Sequence, residues 1–467
     1  MIDRARIEAW FSGREDLLTE AVSRLVSIDS TAGAPAPGQP FGPGPAKALA
    51  EFLALAAEWG LPGRDHEGYV GTVDLNGGPD ALHILGHLDI VPGGEGWTVT
   101  DPFVPRLKDG LLYGRGVSDD KGPMVAALLA MRAVKELGAP LAKNAKLILG
   151  TDEETGMRDV AWYYDRWPYA PHTLSPDADF PIINIEKGHY QPTLRAAWAK
   201  ETALPRVTAF TGGPRVNMVP PNASAVVLGL APEAVRQAAE VLGLEPEIRF
   251  TVTPTDGGAE VRCAGQNAHA STPEQGHNAQ TALVALLAAL PLADLPSTKA
   301  IRTLARLFPH GDHLGEALGV AQADGLSGRL TLAFTILALN ETGLTARFDS
   351  RTPLCGTDET VKAVADRALT AAGFTVTGDM DPPHHVPADD PFIQTLAAAY
   401  EDWTGDRARC LAIGGGTYVH GIPGGVAFGA TMPGFQCCLH GPDEKMSVAD
   451  LMTTAKIYAQ VILSLCT

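Results

Sequence analysis

Cysteine is scarce in this chain: six in 467 residues, scattered apart from the neighbours Cys437-Cys438, and never at C-x-x-C spacing. That excludes a disulfide framework and a zinc ribbon, and it is the usage of a chain kept reduced in the cytosol. Any bound metal must therefore be held by His and carboxylate. Positive charge is short as well, with 36 Lys and Arg against 54 Asp and Glu, a formal net charge of −18 and no local Lys/Arg cluster. Affinity for nucleic acid rests largely on cations that neutralise phosphates, so this balance argues against a nucleic-acid partner. Long apolar runs are missing too. The start, Met1-Ile2-Asp3-Arg4-Ala5-Arg6, holds no signal-peptide core, and the best apolar stretch, Thr281 to Leu290, is stopped by Pro291 far short of a bilayer. The expectation is a cytoplasmic protein with no membrane span.

What is present is an ordinary 45% of apolar residues in a chain too long for one compact core, which predicts two or three domains. Leu17, Leu18, Ala21, Val22, Leu25 and Val26 recur on one helix face, and a second helix spans about Pro45 to Trp59. Strand-like runs follow at Tyr69 to Leu75 and Ala81 to Leu88, divided by the turn Asn76-Gly77-Gly78. A strand at Leu111 to Val117, a helix at Pro123 to Leu137 and strands at Lys146 to Gly150 and Phe180 to Ile185 complete an alternation. Such alternation predicts an α/β fold, a three-layer domain with a mainly parallel sheet. Beyond Gly188 the strands shorten and the texture becomes α+β on both sides of a linker, Pro291 to Leu314. The α/β texture returns after Asp389, with helices at Pro391 to Trp403 and Val448 to Leu465. The reading is a discontinuous domain, 1–188 and 383–467, interrupted by an inserted α+β domain, 189–382, of two similar halves.

Candidate chemistry gathers at strand ends. Thr151-Asp152-Glu153-Glu154-Thr155-Gly156 follows the apolar strand Lys146 to Gly150. Adjacent carboxylates raise each other's pKa and resist burial, so the stretch is either a solvated acidic turn or a place where cations are held. His87 and Asp89 end another strand and point to the same face. With 13 His and 54 acidic residues that spacing arises about 1.5 times by chance, as the loop residues His310-Gly311-Asp312 illustrate; only His87 ends a strongly apolar strand. Gly114-Arg115-Gly116-Val117-Ser118-Asp119-Asp120-Lys121-Gly122 makes a strand-to-helix turn, where either Asp can also serve as an N-cap. Asp177 precedes the strand Phe180 to Ile185, and His440 lies in Leu439-His440-Gly441-Pro442-Asp443-Glu444. Together these residues form a nitrogen and oxygen donor set suited to a pair of zinc ions.

These five motifs, in this order, resemble peptidase family M20, and the long insertion resembles its PepV-type dipeptidase branch. The resemblance implies two Zn2+ ions, which Co2+ or Mn2+ can replace. It places one ion on His87 and Asp177, the other on Glu154 and His440, and Asp119 between them. It makes Asp89 the carboxylate partner of His87, Glu153 the general base acting on metal-activated water, and Asp119-Asp120 a candidate cis peptide. Gly265 to Pro273 resembles the family's lid motif, which makes His269 the residue that stabilises the oxyanion. By the same likeness Asn217, Arg351 and Gly415 contact the substrate, with Arg351 forking onto its terminal carboxylate; a surface ion pair with Asp349 is the plainer reading of that arginine. The implied activity is a zinc-dependent dipeptidase acting on small peptides with a free C-terminal carboxylate, as a monomer. The rival within the family is an N-acyl-amino-acid deacylase. A non-catalytic peptide-binding relative and a two-metal phosphoesterase are the rivals outside that activity.

Overall fold

The computed structural model describes residues 2–467. The chain forms two compact units, one of Met1–Ile185, His385–Leu411 and Gly416–Thr467, the other of Glu186–His384 with Ala412–Gly415. Each has its own core, built around Leu25, Phe52, Leu147 and Ile457 in the first and Phe210, Leu287, Phe334 and Phe348 in the second.

The first unit is a mixed α/β structure. Its sheet runs in the order Gly63–His66, Val70–Asp74, Asn144–Gly150, Asp80–His87, His172–Ser175, Gly425–Ala427, Ile182–Glu186. The centre is parallel: Asp80–His87 pairs in parallel with both Asn144–Gly150 and His172–Ser175, which pairs in parallel with Gly425–Ala427. The flanks are antiparallel, so the sheet is mixed rather than mainly parallel. The reason is local: Glu67 and Gly68 take positive φ and close a tight hairpin, which can only join antiparallel strands. The turn Asn76-Gly77-Gly78 closes no hairpin, because Asn144–Gly150 pairs with the strands on both sides of it.

Parallel register carries the chemistry to one edge. His87 lies opposite Gly150, so His87 and the Thr151–Glu154 turn leave the sheet side by side, and Asp177 follows the next strand. Close packing beneath this edge depends on glycine. A Cβ on Gly86 would sit 2.0 Å from Asp120 Oδ2, and one on Gly150 would sit 2.0 Å from the Tyr418 hydroxyl. The helix Lys121–Glu136 begins at the same edge and has 13 of its 16 residues buried. Its first residue, Lys121, is buried with Nζ donating to the Leu25 and Ile28 carbonyls at the C-terminal end of the helix Glu15–Val26.

Val448–Cys466 is long and apolar enough, by length and composition, to cross a membrane, although Asp450, Lys456 and Gln460 interrupt its apolar run. In the structure it is a core helix that packs on Lys121–Glu136, burying Leu451, Ala455 and Ile462. The stretch Pro291 to Leu314, expected to be a linker, holds the helix Pro296–Leu307, whose buried Ile301, Leu304 and Leu307 line one face. Flanking prolines obscure that periodicity in the sequence.

The second unit carries one antiparallel sheet in the order Arg249–Thr255, Gly258–Ala264, Asn222–Leu228, Arg206–Gly212, Thr331–Asn340, Gly343–Thr352, Gly188–Tyr190, Met380–Asp381. The strands before and after residues 291–314 join in this single sheet through the pairing of Phe210 with Leu339 and of Gly212 with Leu337.

Candidate functional site

Five residues converge at the strand-end edge of the first unit. His87 Nε2 lies 2.8 Å from Asp119 Oδ1 and 3.8 Å from Asp177 Oδ2. His440 Nε2 lies 2.8 Å from Asp119 Oδ2 and 3.3 Å from Glu154 Oε1. The donors thus form two groups, His87 with Asp119 and Asp177, and Asp119 with Glu154 and His440. Asp119 belongs to both, one oxygen facing each histidine. The Asp119–Asp120 peptide is cis.

The electrostatics follow from burying so many carboxylates together. Burial opposes ionisation of Asp119, yet hydrogen bonds from His440 and His87 outweigh it and hold its carboxyl far below the usual range. Partial burial of His440, whose side chain is 49% exposed, opposes its protonation, but its bonds to Asp119 and Glu154 raise its pKa to about 10. His87 is raised in the same way, burial being overcome by Asp119 and Asp89. Asp177 is pushed up by burial and by the charge of Asp119. Histidines held as cations against clustered carboxylates mark a site built for positive charge, and nitrogen with carboxylate oxygen is the donor chemistry of zinc-type ions. The residues present fit such ions.

Glu153 belongs to neither donor group among the described residues. Burial, then the charges of Glu154, Asp119 and Asp89, push its carboxyl well above the ordinary range, with His87 opposing. Its backbone is pinned by Asp89, whose Oδ1 accepts from the Glu153 N–H at 3.2 Å and Oδ2 from the Glu154 N–H at 3.1 Å. Asp89 meets His87 as well: its backbone carbonyl accepts from Nδ1 at 3.0 Å, and its carboxylate Oδ1 lies 3.5 Å from the same nitrogen.

Two residues that the sequence did not single out hold the same turn. Asp159 Oδ2 accepts from the Thr151 and Asp152 N–H groups and from the Tyr418 hydroxyl, all within 3.0 Å. Tyr418 is buried with its ring edge-on to His87. These partners lie 259 residues apart, and no spacing in the sequence announces them.

The remaining candidates lie in the second unit. His269 Nδ1 is 2.6 Å from Ser271 Oγ and accepts from the Ser271 N–H, so a neutral ring carries its proton on Nε2. Met218 bridges His269, and the Asn217 carbonyl accepts from Ala270, which brings Asn217 beside the histidine. Arg351 is buried rather than on the surface. Its Nε and Nη2 donate to Asp349 at 2.7 and 2.8 Å, while Nη1 donates to His189 and to the Gly414 carbonyl. Four of its five N–H bonds are therefore engaged, so the open fork expected for a carboxylate is reduced to one N–H on Nη2. Gly414, next to Gly415, accepts from Arg351 and lines a cavity of about 590 Å³ with Lys187, Ser271, Glu274, His313 and Arg329.

A parallel strand edge that gathers histidines and carboxylates around one divided aspartate defines a metal-dependent hydrolase. The chain belongs to peptidase family M20/M25/M40, whose model matches residues 83–464. It is a hydrolase acting on peptide bonds, in a family that depends on metal. It is 35% identical over 460 residues to the "Putative dipeptidase YtjP" of Bacillus subtilis, covering 97% of each chain. It is 33% identical to the Beta-Ala-Xaa dipeptidase of Lactobacillus delbrueckii subsp. lactis, covering 97% of this chain and 96% of that one. In fold it is similar to human carnosine dipeptidase 1, with a TM-score of 0.60 at 16% identity over 99% of this chain and 98% of that one.

Proposed function

We propose that the protein is a zinc-dependent dipeptidase that cleaves the peptide bond of dipeptides with a free C-terminal carboxylate. The observation that carries this reading is the divided carboxylate of Asp119, one oxygen beside His87 and the other beside His440, next to a glutamate outside both donor groups. His87 and Asp177 would hold one ion, Glu154 and His440 the other, and Asp119 both, with Co2+ or Mn2+ able to replace Zn2+. When bound, such ions lower the pKa of water towards neutrality and polarise a peptide carbonyl.

Glu153 is the general base. It takes a proton from the attacking water and delivers it to the amide nitrogen, so that a C–O bond forms, the C–N bond breaks and a carboxylate and an amine result. Its heightened proton affinity suits that task. Asp89 positions it by anchoring the backbone of the Glu153 turn, and its carbonyl fixes the His87 tautomer so that Nε2 faces the donor group. His269 offers its Nε2–H to the carbonyl oxygen as negative charge develops there. Residues 189–382 act as the lid, and a lid this long, whose second half stands in for a partner subunit, lets the protein work as a monomer.

The C-terminal carboxylate of the substrate takes the remaining Nη2–H of Arg351, with Asn217 and Gly415 beside it. The cavity that Ser271 and Gly414 share takes the adjoining side chain. Arg351→Lys removes that N–H together with the bidentate grip on Asp349. We expect KM to rise about ten- to a hundredfold with kcat little changed, the loss of one charge-assisted hydrogen bond. Steady-state kinetics on one dipeptide checks this, and a fall in kcat at constant KM would contradict it.

The reading as a whole is tested with a matched panel of dipeptides, tripeptides and N-acetyl amino acids on metal-loaded protein, quantifying released amine. Dipeptides should be hydrolysed fastest. Preferential cleavage of the N-acetyl forms would make the protein a deacylase instead.

A further inference from the structure

The loop that delivers His440 is held by a buried ion pair whose partners lie far apart along the chain. Arg115 and Glu444 lie 329 residues apart, are 2% and 0% exposed, and meet through Nη1 and Oε2 at 2.5 Å. Apart from Arg115 Nε, which is buried with no hydrogen-bond partner among the described residues, the remaining polar atoms of the pair bond mainly backbone. Arg115 Nη2 donates to the carbonyl of His440 itself at 3.2 Å, to that of Gly441 at 3.1 Å and to that of Gly93 at 3.4 Å. Glu444 Oε1 accepts from the Gly116 and Ser118 N–H groups, each at 3.0 Å, and from the Ser118 hydroxyl at 3.1 Å. Ser118 immediately precedes Asp119. One ion pair thus holds the backbone on which His440 stands and the backbone from which Asp119 leaves.

The loop needs such ties. Cys438, His440 and Asp443 all have φ between 55° and 60°, a region non-glycine residues rarely occupy and hold only when their surroundings impose it. Asp443 contributes a second anchor by accepting from the Thr98 and Val99 N–H groups. That anchor is exposed and bonds the loop next to His440, whereas Arg115 bonds the histidine's own carbonyl. The other donor group is built differently: His87 ends a central strand and Asp177 follows its neighbour, so sheet pairing fixes them without this loop.

We propose that Arg115, anchored by Glu444, is a positioning residue for the metal position of Asp119, Glu154 and His440, and that its loss leaves the His87, Asp119 and Asp177 position intact, because Glu444 still bonds the backbone before Asp119 when Arg115 is gone. Arginine is required because one planar group must bond a carboxylate and two successive carbonyls at once, which a lysine ammonium on a flexible stem does not reproduce. This inference rests on the two-position reading above.

The test is metal content rather than turnover. Full-length protein, stripped and re-equilibrated at a buffered free Co2+ concentration that saturates wild type, is measured by elemental analysis and by the visible spectrum of the bound cobalt. Wild type should hold two ions. Arg115→Met should hold one, with affinity for the second lowered about ten- to a hundredfold. His440→Ala should lose the same ion and the same spectral component, and the double variant should lose nothing more. Arg115→Lys should recover only part of the second affinity. Should Arg115→Met fail to fold, judged by its circular dichroism, Glu444→Gln replaces it, because it keeps an acceptor for the backbone N–H groups and removes only the charge. Retention of both ions at wild-type affinity overturns the proposal, and so does loss of both. A wild type that takes up a single ion overturns the two-position reading itself and this inference with it.

Discussion

Glu153→Gln should retain the full complement of metal and lose about two to four orders of magnitude in kcat, with KM nearly unchanged. Gln keeps the shape of Glu and removes only the ability to accept and return a proton, which is the share of catalysis assigned to a general base. Because Glu153 stands outside both donor groups, its loss has no route to the metal content. The same substitution should not destabilise the metal-free protein. The Glu153 pKa is raised in the folded state, first by burial and then by Glu154, Asp119 and Asp89. The proton is therefore bound more tightly folded than unfolded, and that stabilisation is present below the unfolded pKa and lost as pH rises through the folded one. Above the unfolded pKa a carboxyl whose folded pKa is raised costs stability whether it ionises or takes up a proton, and Gln removes that cost, so at neutral pH the thermal midpoint of the metal-free variant should equal or exceed that of wild type. A side chain that harms stability while serving turnover has the signature of a functional residue. Turnover near the wild-type rate, or a drop in metal content, would reassign Glu153.

Asp119→Asn should be the most damaging single change, because it alone strikes both donor groups. Single losses of His87 or His440 each remove one donor from one group. Replacing one Asp119 oxygen by an amide NH2 removes an acceptor from one group and the negative charge from both. We expect hydrolysis to fall to background and both ions to be lost at concentrations that saturate wild type. In the metal-free protein the sign of the stability change is opposite to that for Glu153. The Asp119 pKa is depressed because the bonds from His440 and His87 overcome burial. Its contribution is therefore present above the unfolded carboxyl pKa and lost only as pH falls through the lower folded value. Metal-free Asp119→Asn should melt below wild type at neutral pH, with the gap closing in strong acid. Elemental analysis and melting curves at two pH values check both statements, and retention of one tightly held ion would show that Asp119 is not shared.

Much of the donor set can be read from local pattern. His87 and Asp89 end an apolar run, so alternation in an extended chain puts them on one face. The carboxylates of Glu153 and Glu154 stand where a strand stops, where a parallel fold collects ligands. Arg351 and Asp349 sit two apart on one strand, so their pairing was legible, but their burial was not: it depends on what the rest of the second unit lays over that strand. Likewise no local signal says that Asn144–Gly150 is paired with the strands on both sides of the Asn76-Gly77-Gly78 turn, because strand order is a property of non-local pairing. The helix Pro296–Leu307 was missed for a different reason, since its apolar stripe is narrow and bounded by prolines that read as linker.

By itself the sequence determined the chemistry available: almost no thiol, an acidic balance and histidines with carboxylates at strand ends, which confine any metal to nitrogen and oxygen ligands. The tertiary structure decided how those residues are shared out. It turned the two oxygens of Asp119 toward different histidines, bonded the Asp89 carboxylate to the Glu153 turn, closed four of the five Arg351 N–H bonds on Asp349, His189 and Gly414, and joined Arg115 to Glu444. Each of these depends on distances between residues far apart along the chain, and burial, which makes every one of those charges costly unless paired, exists only once the chain has folded.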